Sequence, residues 1–144
     1  MNYWLIKSEP FKYPWSQLLA DKVTHWSGVR NYQARNYMME MAIGDLCLFY
    51  HSNEGKAVVG IAEVVKTHYP DPTQTADERG SWVVVDVAPY ATLPVPVTLQ
   101  QLREEPRLQD LNIFRQMRLS VVSVSAAHFD LIVAMGQGGA SAEN

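Results

Sequence analysis

Three strand signals follow one another between Leu46 and Pro89, with turns and no helix between them. A parallel doubly wound sheet needs a crossover helix after each strand, so this stretch argues against that class. Leu46–His51 is an apolar run entered through the turn residues Gly44-Asp45. Ser52-Asn53-Glu54-Gly55 offers residues that tolerate positive φ and predicts a hairpin-type turn. Ala57–Lys66 is the return strand, and Gly60 in its middle marks a bulge or a close approach. Tyr69-Pro70-Asp71-Pro72-Thr73 predicts a rigid loop, and Ser81–Pro89 alternates as a further strand.

Helical signals lie on either side of this stretch. The chain opens with an aromatic and apolar strand, Tyr3–Lys7, stopped by Ser8-Glu9-Pro10. Pro14 at a first turn predicts a short helix over Trp15–Ala20. Asn31 is placed to cap a helix from Tyr32 to Met41. A short helix is expected from Thr98 to Arg103, a last strand over Arg118–Ser123, and a helix over Ala126–Met135 capped by Ser125. At 144 residues, with 47% apolar and 19% charged residues and no internal repeat or linker, the chain reads as one folded domain. Its expected extent is residues 1–136, with a Gly/Ala/Ser-rich disordered tail at 137–144. The expected fold is α+β: a mostly antiparallel barrel or curled sheet with flanking helices. Ligands of such folds lie in the barrel mouth.

The segment Trp26–Asn36 concentrates a Trp, a Tyr, a Gly, two Arg and two Asn in eleven residues. Planar and amide groups at this density suit a flat, hydrogen-bonding ligand: aromatic faces stack on it, amides read its edge, and Arg meets phosphate or carboxylate. The alternative is a loop whose polar groups only cap and cross-link the fold. The net charge of −3 argues against a protein that coats nucleic acid by electrostatics alone. Yet residues 1–40 carry a balance of +2, so a local basic face is compatible with an acidic chain.

Familiar catalytic patterns are missing from the sequence. There is no Gly-rich phosphate loop, no Gly-x-Ser-x-Gly elbow and no His-Glu-x-x-His. His25, His51, His68 and His128 have no partner at metal spacing, and Cys47 has no second thiol, so neither metal nor cofactor is expected. His51 and Ser52 are adjacent on a strand and point to opposite faces, which argues against a hydrolytic pair. The N-terminus lacks a signal-peptide pattern and no apolar run spans a bilayer, so a soluble, cytoplasmic protein without membrane partners is expected.

Several motifs occur in a telling order: Tyr3-Trp4-Leu5-Ile6-Lys7-Ser8-Glu9-Pro10, Trp26-x-Gly-Val-Arg-Asn-Tyr-x-Ala-Arg-Asn, Gly44-Asp45 leading to Phe49-Tyr50-His51-Ser52, and Gly60-Ile61-Ala62-Glu63-Val64. With Tyr69-Pro70-Asp71, Trp82, Asp86 and Arg118-Leu119-Ser120-Val121, they closely resemble the EVE domain family, thymocyte nuclear protein-like domains, over nearly the whole chain. The resemblance implies a fold similar to PUA domains and to the YTH readers of methylated RNA. It also implies a pocket for a modified nucleobase, a modified cytosine flipped from DNA in the proposal made for several members. The nucleic acid expected is DNA ahead of RNA, bound by a monomer.

The residues fit that chemistry. Trp26 and Tyr50 offer π-faces, and Asn31, His51 and Ser52 offer donors and acceptors for a base edge. Lys7, Arg30 and Arg35 suit the flanking phosphates. Each has a plainer reading: Trp26 as core, Asn31 as a helix cap, Arg30 in an internal salt bridge to Glu9. Trp4, Trp15 and Trp82 are expected in the core. A non-catalytic reader of modified bases is the leading expectation. A small-molecule or nucleotide-metabolite sensor, or an RNA-modification accessory protein using the same pocket, is the alternative.

Overall fold

Leu46–Tyr50 is apolar at every position because the strand it forms is covered on both faces. Cys47 and Phe49 face one core, and Leu46, Leu48 and Tyr50 face another. The computed structural model, which describes residues 1–138, places this strand as β3 (Leu46–His51) near the middle of a six-stranded sheet. The others are β1 (Tyr3–Ser8), β2 (Thr24–His25), β4 (Ala57–Pro70), β5 (Val83–Thr98) and β6 (Val121–Val124), in spatial order β2-β5-β4-β3-β1-β6. The sheet is mixed and not closed. β1 and β3 run parallel, in register from Tyr3↔Leu46 to Ser8↔His51, and the remaining pairs are antiparallel.

Two layers of helix complete the domain. The parallel β1–β3 pair needs a long crossover, and α1 (Trp15–Asp21), β2 and α2 (Tyr32–Glu40) supply it. These helices bury Trp15, Leu18, Ala34 and Met38 against Trp4, Ile6 and Phe49. α3 (Leu99–Glu104), a 3-10 turn at Pro106–Leu108, α4 (Asn112–Arg115) and α5 (Ala126–Met135) contribute to the second core, where Leu102, Leu108, Ile113 and Ile132 meet Leu5 and Leu48. Caps set the helix starts. Asn31 accepts from the Ala34 N–H at 3.0 Å, Ser125 accepts from the His128 N–H at 3.2 Å, and Thr98 with Gln101 forms a reciprocal capping box.

Buried Asp45 ties the turn before β3 to β1. Its carboxylate accepts from the Trp4 indole N–H at 3.1 Å, the Ala42 N–H at 3.0 Å and the Asn2 N–H at 3.1 Å. Gly60 is the close approach expected of it: a Cβ there would lie 2.5 Å from ring carbons of Trp15. The strand register shifts beside it, between Val58 and Gly60, and on the facing strand between Phe49 and Tyr50. The Trp15 indole N–H then reaches the Thr92 hydroxyl at 2.9 Å.

Some boundaries differ from the sequence reading. β4 continues through Tyr69 and Pro70, and β5 passes Pro89, Pro94 and Pro96 to reach Thr98. Four register shifts between these two strands accommodate the irregular ladder, so proline does not end the strand. The last strand starts at Val121 rather than Arg118. β2, α4 and the 3-10 turn are too short to leave a periodic signal. Of the tail at 137–144, Gln137 and Gly138 continue a turn, and the rest lies outside the described residues. Among the described residues no helix is long and apolar enough to cross a membrane.

Gly60→Ala should lower unfolding free energy by about 1–3 kcal/mol, because the methyl group must displace a buried indole. Denaturant melts followed by Trp fluorescence measure this. A midpoint equal to wild type would show that the Trp15 ring does not rest on Gly60.

Candidate functional site

The C-terminal ends of β1 and β3 border a cleft of about 790 Å3. Lys7 and Ser8 come from β1, Tyr50 from β3, and Ser52 from the turn that follows. The loop after β2 adds Trp26 and Gly28, and the segment before β6 adds Arg118.

Trp26 lies between core and cleft. Its N–H extends the β2–β5 pairing by donating to the Val85 carbonyl at 2.8 Å. Its ring meets Phe49 edge-on at 5.4 Å and Tyr13 at 6.1 Å, leaving 8% of the residue exposed. Tyr50 is 3% exposed, and burial pushes its phenol pKa up despite an opposing effect from nearby Arg103. Its hydroxyl has no hydrogen-bond partner among the described residues, yet is not sealed from solvent. Half-buried Lys7 donates to the Met117 carbonyl at 2.7 Å, and burial lowers the pKa of its ammonium.

The loop carrying Trp26 and Gly28 is anchored by Asp71. Gly28 takes a left-handed φ of 82°, and its N–H donates to Asp71 at 3.0 Å. Arg30 donates to the same carboxylate at 2.9 Å, and the Thr73 N–H and hydroxyl donate at 2.7 and 2.6 Å. Burial raises the Asp71 pKa. Bonds from the Thr73 hydroxyl, the Gly28 N–H, Arg30 and the Thr73 N–H outweigh it and hold the carboxyl at about 2.

The sequence candidates thus fall into two groups. Lys7, Trp26, Tyr50 and Ser52 line the cleft together. Asn31, His51, Arg30 and Arg35 are not among its lining residues. Asn31 caps α2. His51 lies on the other face of β3, beside Phe49, where its Nε2 accepts the Trp15 N–H at 3.0 Å. Burial lowers its pKa, which suits an acceptor nitrogen. Arg30 pairs with Asp71 and Glu78 rather than with Glu9, and lies 5.7 Å from the centre of the Trp82 ring. Arg35 lies over Tyr32 at 5.0 Å and donates to the Ser81 carbonyl.

Sequence reasoning missed other members of the cleft. Lys12, Lys56, Arg103 and Arg118 also line it, so it carries five Lys and Arg side chains and a single carboxylate, Glu9. They come from four separate segments, and each alone reads as ordinary solvated charge. The hairpin turn next to Lys56 and the motif beginning at Arg118 were the available hints.

Asp71→Ala should cost about 3 kcal/mol, because a buried ion pair loses one partner. The folded Asp71 pKa is depressed, so its stabilisation is present above about pH 4 and is lost as pH falls towards 2. The stability gap between wild type and Asp71→Asn should therefore stay level from neutrality to about pH 5 and shrink below about pH 4. A gap independent of pH would contradict this. A Cβ at Gly28 meets nothing within 4 Å, so Gly28→Ala should cost only the backbone strain, about 1–2 kcal/mol in a thermal melt.

The same architecture is found in known proteins. The EVE domain model matches residues 2–135. Mouse thymocyte nuclear protein 1 is 32% identical, over 93% of this chain and 73% of its own. The structure of protein Atu2648 from Agrobacterium tumefaciens superposes with a TM-score of 0.89 at 44% identity, covering 94% of this chain and 93% of that one. Human THYN1 protein, solved in complex with 5-methylcytosine containing DNA, superposes with a TM-score of 0.86 at 28% identity, covering 95% and 98%. With its mixed six-stranded sheet and flanking helices in the PUA-like arrangement, the chain belongs to the EVE domain family.

Proposed function

We propose that this protein recognises a modified nucleobase within a nucleic-acid strand, holding it in the cleft without altering it. The observation that carries the reading is the meeting of the Trp26 ring, the Tyr50 and Ser52 hydroxyls and several cations without a partner among the described residues in one cavity. Its volume of about 790 Å3 falls within the roughly 300–1,000 Å3 range of small-ligand pockets. The human relative bound to 5-methylcytosine containing DNA supports a modified cytosine in DNA as the ligand.

The roles follow from chemistry. A flipped base loses stacking and pairing worth a few kcal/mol, which the pocket replaces. Trp26 supplies a stacking face worth roughly 1–3 kcal/mol. The Tyr50 and Ser52 hydroxyls serve the base edge, and the Lys7 ammonium serves a neighbouring phosphate. Asn31 and His51 keep structural roles at the starts of α2 and α1. Neither Cys47 nor Ser52 is set up as a nucleophile. Burial pushes the Cys47 thiol up, away from a reactive thiolate, and Ser52 has His51 on the opposite face of the strand.

Oligonucleotides carrying modified or unmodified cytosine, as DNA and as RNA, test the reading by titration. Tyr50→Phe removes a hydroxyl that makes no hydrogen bond among the described residues, so stability should hold while modified-base binding weakens about three- to tenfold. Asn31→Ala should cost about 1 kcal/mol of stability and leave discrimination between modified and unmodified strands unchanged. Loss of that discrimination would return Asn31 to the site. Mass analysis after incubation should recover every nucleoside intact. Turnover that scales with protein and disappears in Tyr50→Phe would overturn the non-catalytic reading.

A further inference from the structure

A second groove, of about 510 Å3, is lined by Lys56, Thr98, Leu99, Gln100, Arg103 and Glu104. It shares Lys56, Leu99 and Arg103 with the main cleft, so the two are adjoining parts of one depression. Their junction is tied by the backbone. Ala57 pairs with Thr98 across β4 and β5, and the Leu99 N–H donates to the Lys56 carbonyl at 2.8 Å. The charge of nearby Arg103 opposes the burial that raises the Tyr50 phenol's pKa, and Lys7 is the register partner of Tyr50 on β1. Lys7 and Arg103 thus stand beside Tyr50, whose hydroxyl is assigned to the base edge.

Their partners separate them into two kinds. Lys12 is paired with Glu9 at 2.9 Å, and Lys7 is held by the Met117 carbonyl. The side chains of Lys56, Arg103 and Arg118 have neither a carboxylate nor a hydrogen-bond partner among the described residues. Solvated cations scattered on a surface need no ligand. These three line one cavity instead, on a chain whose net charge is −3. Glu104, the carboxylate of the second groove, is engaged by the Gln100 side chain at 3.0 Å. Arg30 and Arg35 are occupied elsewhere, by Asp71 and Glu78 and by Asn36 and the Ser81 carbonyl.

We infer that Lys56, Arg103 and Arg118 join Lys7 in holding the phosphates flanking the recognised base, and that one arm of the strand leaves the cleft along the groove beside α3. The inference rests on the reading of the cleft as a base pocket and adds the path of the backbone. Phosphate contacts position a strand without reading sequence, so these residues set affinity and salt dependence while the pocket sets selectivity.

Anisotropy titrations of a 5-methylcytosine oligonucleotide, between roughly 50 and 300 mM salt, test it. Neutralising one phosphate-binding side chain should flatten the slope of log affinity against log salt by about 0.7 on a single strand and 0.9 on a duplex. Lys56→Gln/Arg103→Gln/Arg118→Gln should flatten it by about two to three and preserve the ratio of modified to unmodified binding. The charge-preserving Lys56→Arg/Arg103→Lys/Arg118→Lys should keep the wild-type slope. If the triple neutral variant unfolds, the three single variants carry the test, each flattening the slope by its share. Oligonucleotides ending at the modified base, on the 5′ or the 3′ side, locate the exit: one of the two should make Lys56→Gln/Arg103→Gln silent. Discriminating wild-type binding with an unchanged slope in the neutral variants would overturn the inference alone, as would a flattened slope in Arg35→Gln instead. If both truncated strands still feel the double variant, the groove is not the exit. Wild-type protein that does not discriminate modified from unmodified strands would remove the base-pocket reading and this inference with it.

Discussion

A buried carboxylate, Asp71, governs how the loop after β2 is held. Its four donors come from Gly28, Arg30 and Thr73, so one side chain joins the loop before α2 to the turn after β4. Burying a charge is unfavourable unless hydrogen bonds and an opposite charge replace the lost water, and here both are present. The left-handed backbone at Gly28 turns its N–H towards that carboxylate. Trp26, two residues earlier, is held by its own strand bond to Val85 and by Phe49 and Tyr13. The wall of the cleft is therefore built before any ligand arrives, which lowers the ordering cost of binding.

The sheet supplies the other walls. Because both faces are covered, β3 sends alternate residues into different environments. Phe49 and His51 serve the packing of α1, while Tyr50 and Ser52 reach the cleft. Two adjacent polar residues, His51 and Ser52, thereby acquire unrelated duties. The packing of Trp15 on bare Gly60 fixes how closely α1 approaches β4, and the register shifts around Gly60 bend the strands where they pass the indole.

Charge is arranged against the average of the chain. A net −3 protein gathers five cations along one cavity, and three of them have no internal partner among the described residues. An arginine already paired with two carboxylates, as Arg30 is, gains little from a further anion, whereas an unpaired cation beside a cavity has no competing partner to lose. This is why the most conspicuous arginines of the sequence, in the Trp26–Asn36 run, stabilise the loop, while less conspicuous ones in other segments face the cleft.

What depends on neighbours in the chain was legible in the sequence. Asn31, Thr98 and Ser125 begin helices because a short polar side chain can reach an N–H three residues on. The hairpin turn at Ser52–Gly55, the close approach at Gly60 and the apolar β3 were likewise readable, as was the aromatic and polar character of the segment containing Trp26. What depends on partners distant in the chain was not. The reach of β5 past three prolines is set by the register of β4. The duties of Arg30 and His51 are set by Asp71 and the Trp15 N–H, 41 and 36 residues away. The grouping of Lys56, Arg103 and Arg118 exists only once β4, α3 and β6 are packed. Local hydrogen-bonding reach and apolar patterning belong to the sequence by itself, whereas the choice among several possible partners for a charge is made by proximity, and only the tertiary structure creates proximity.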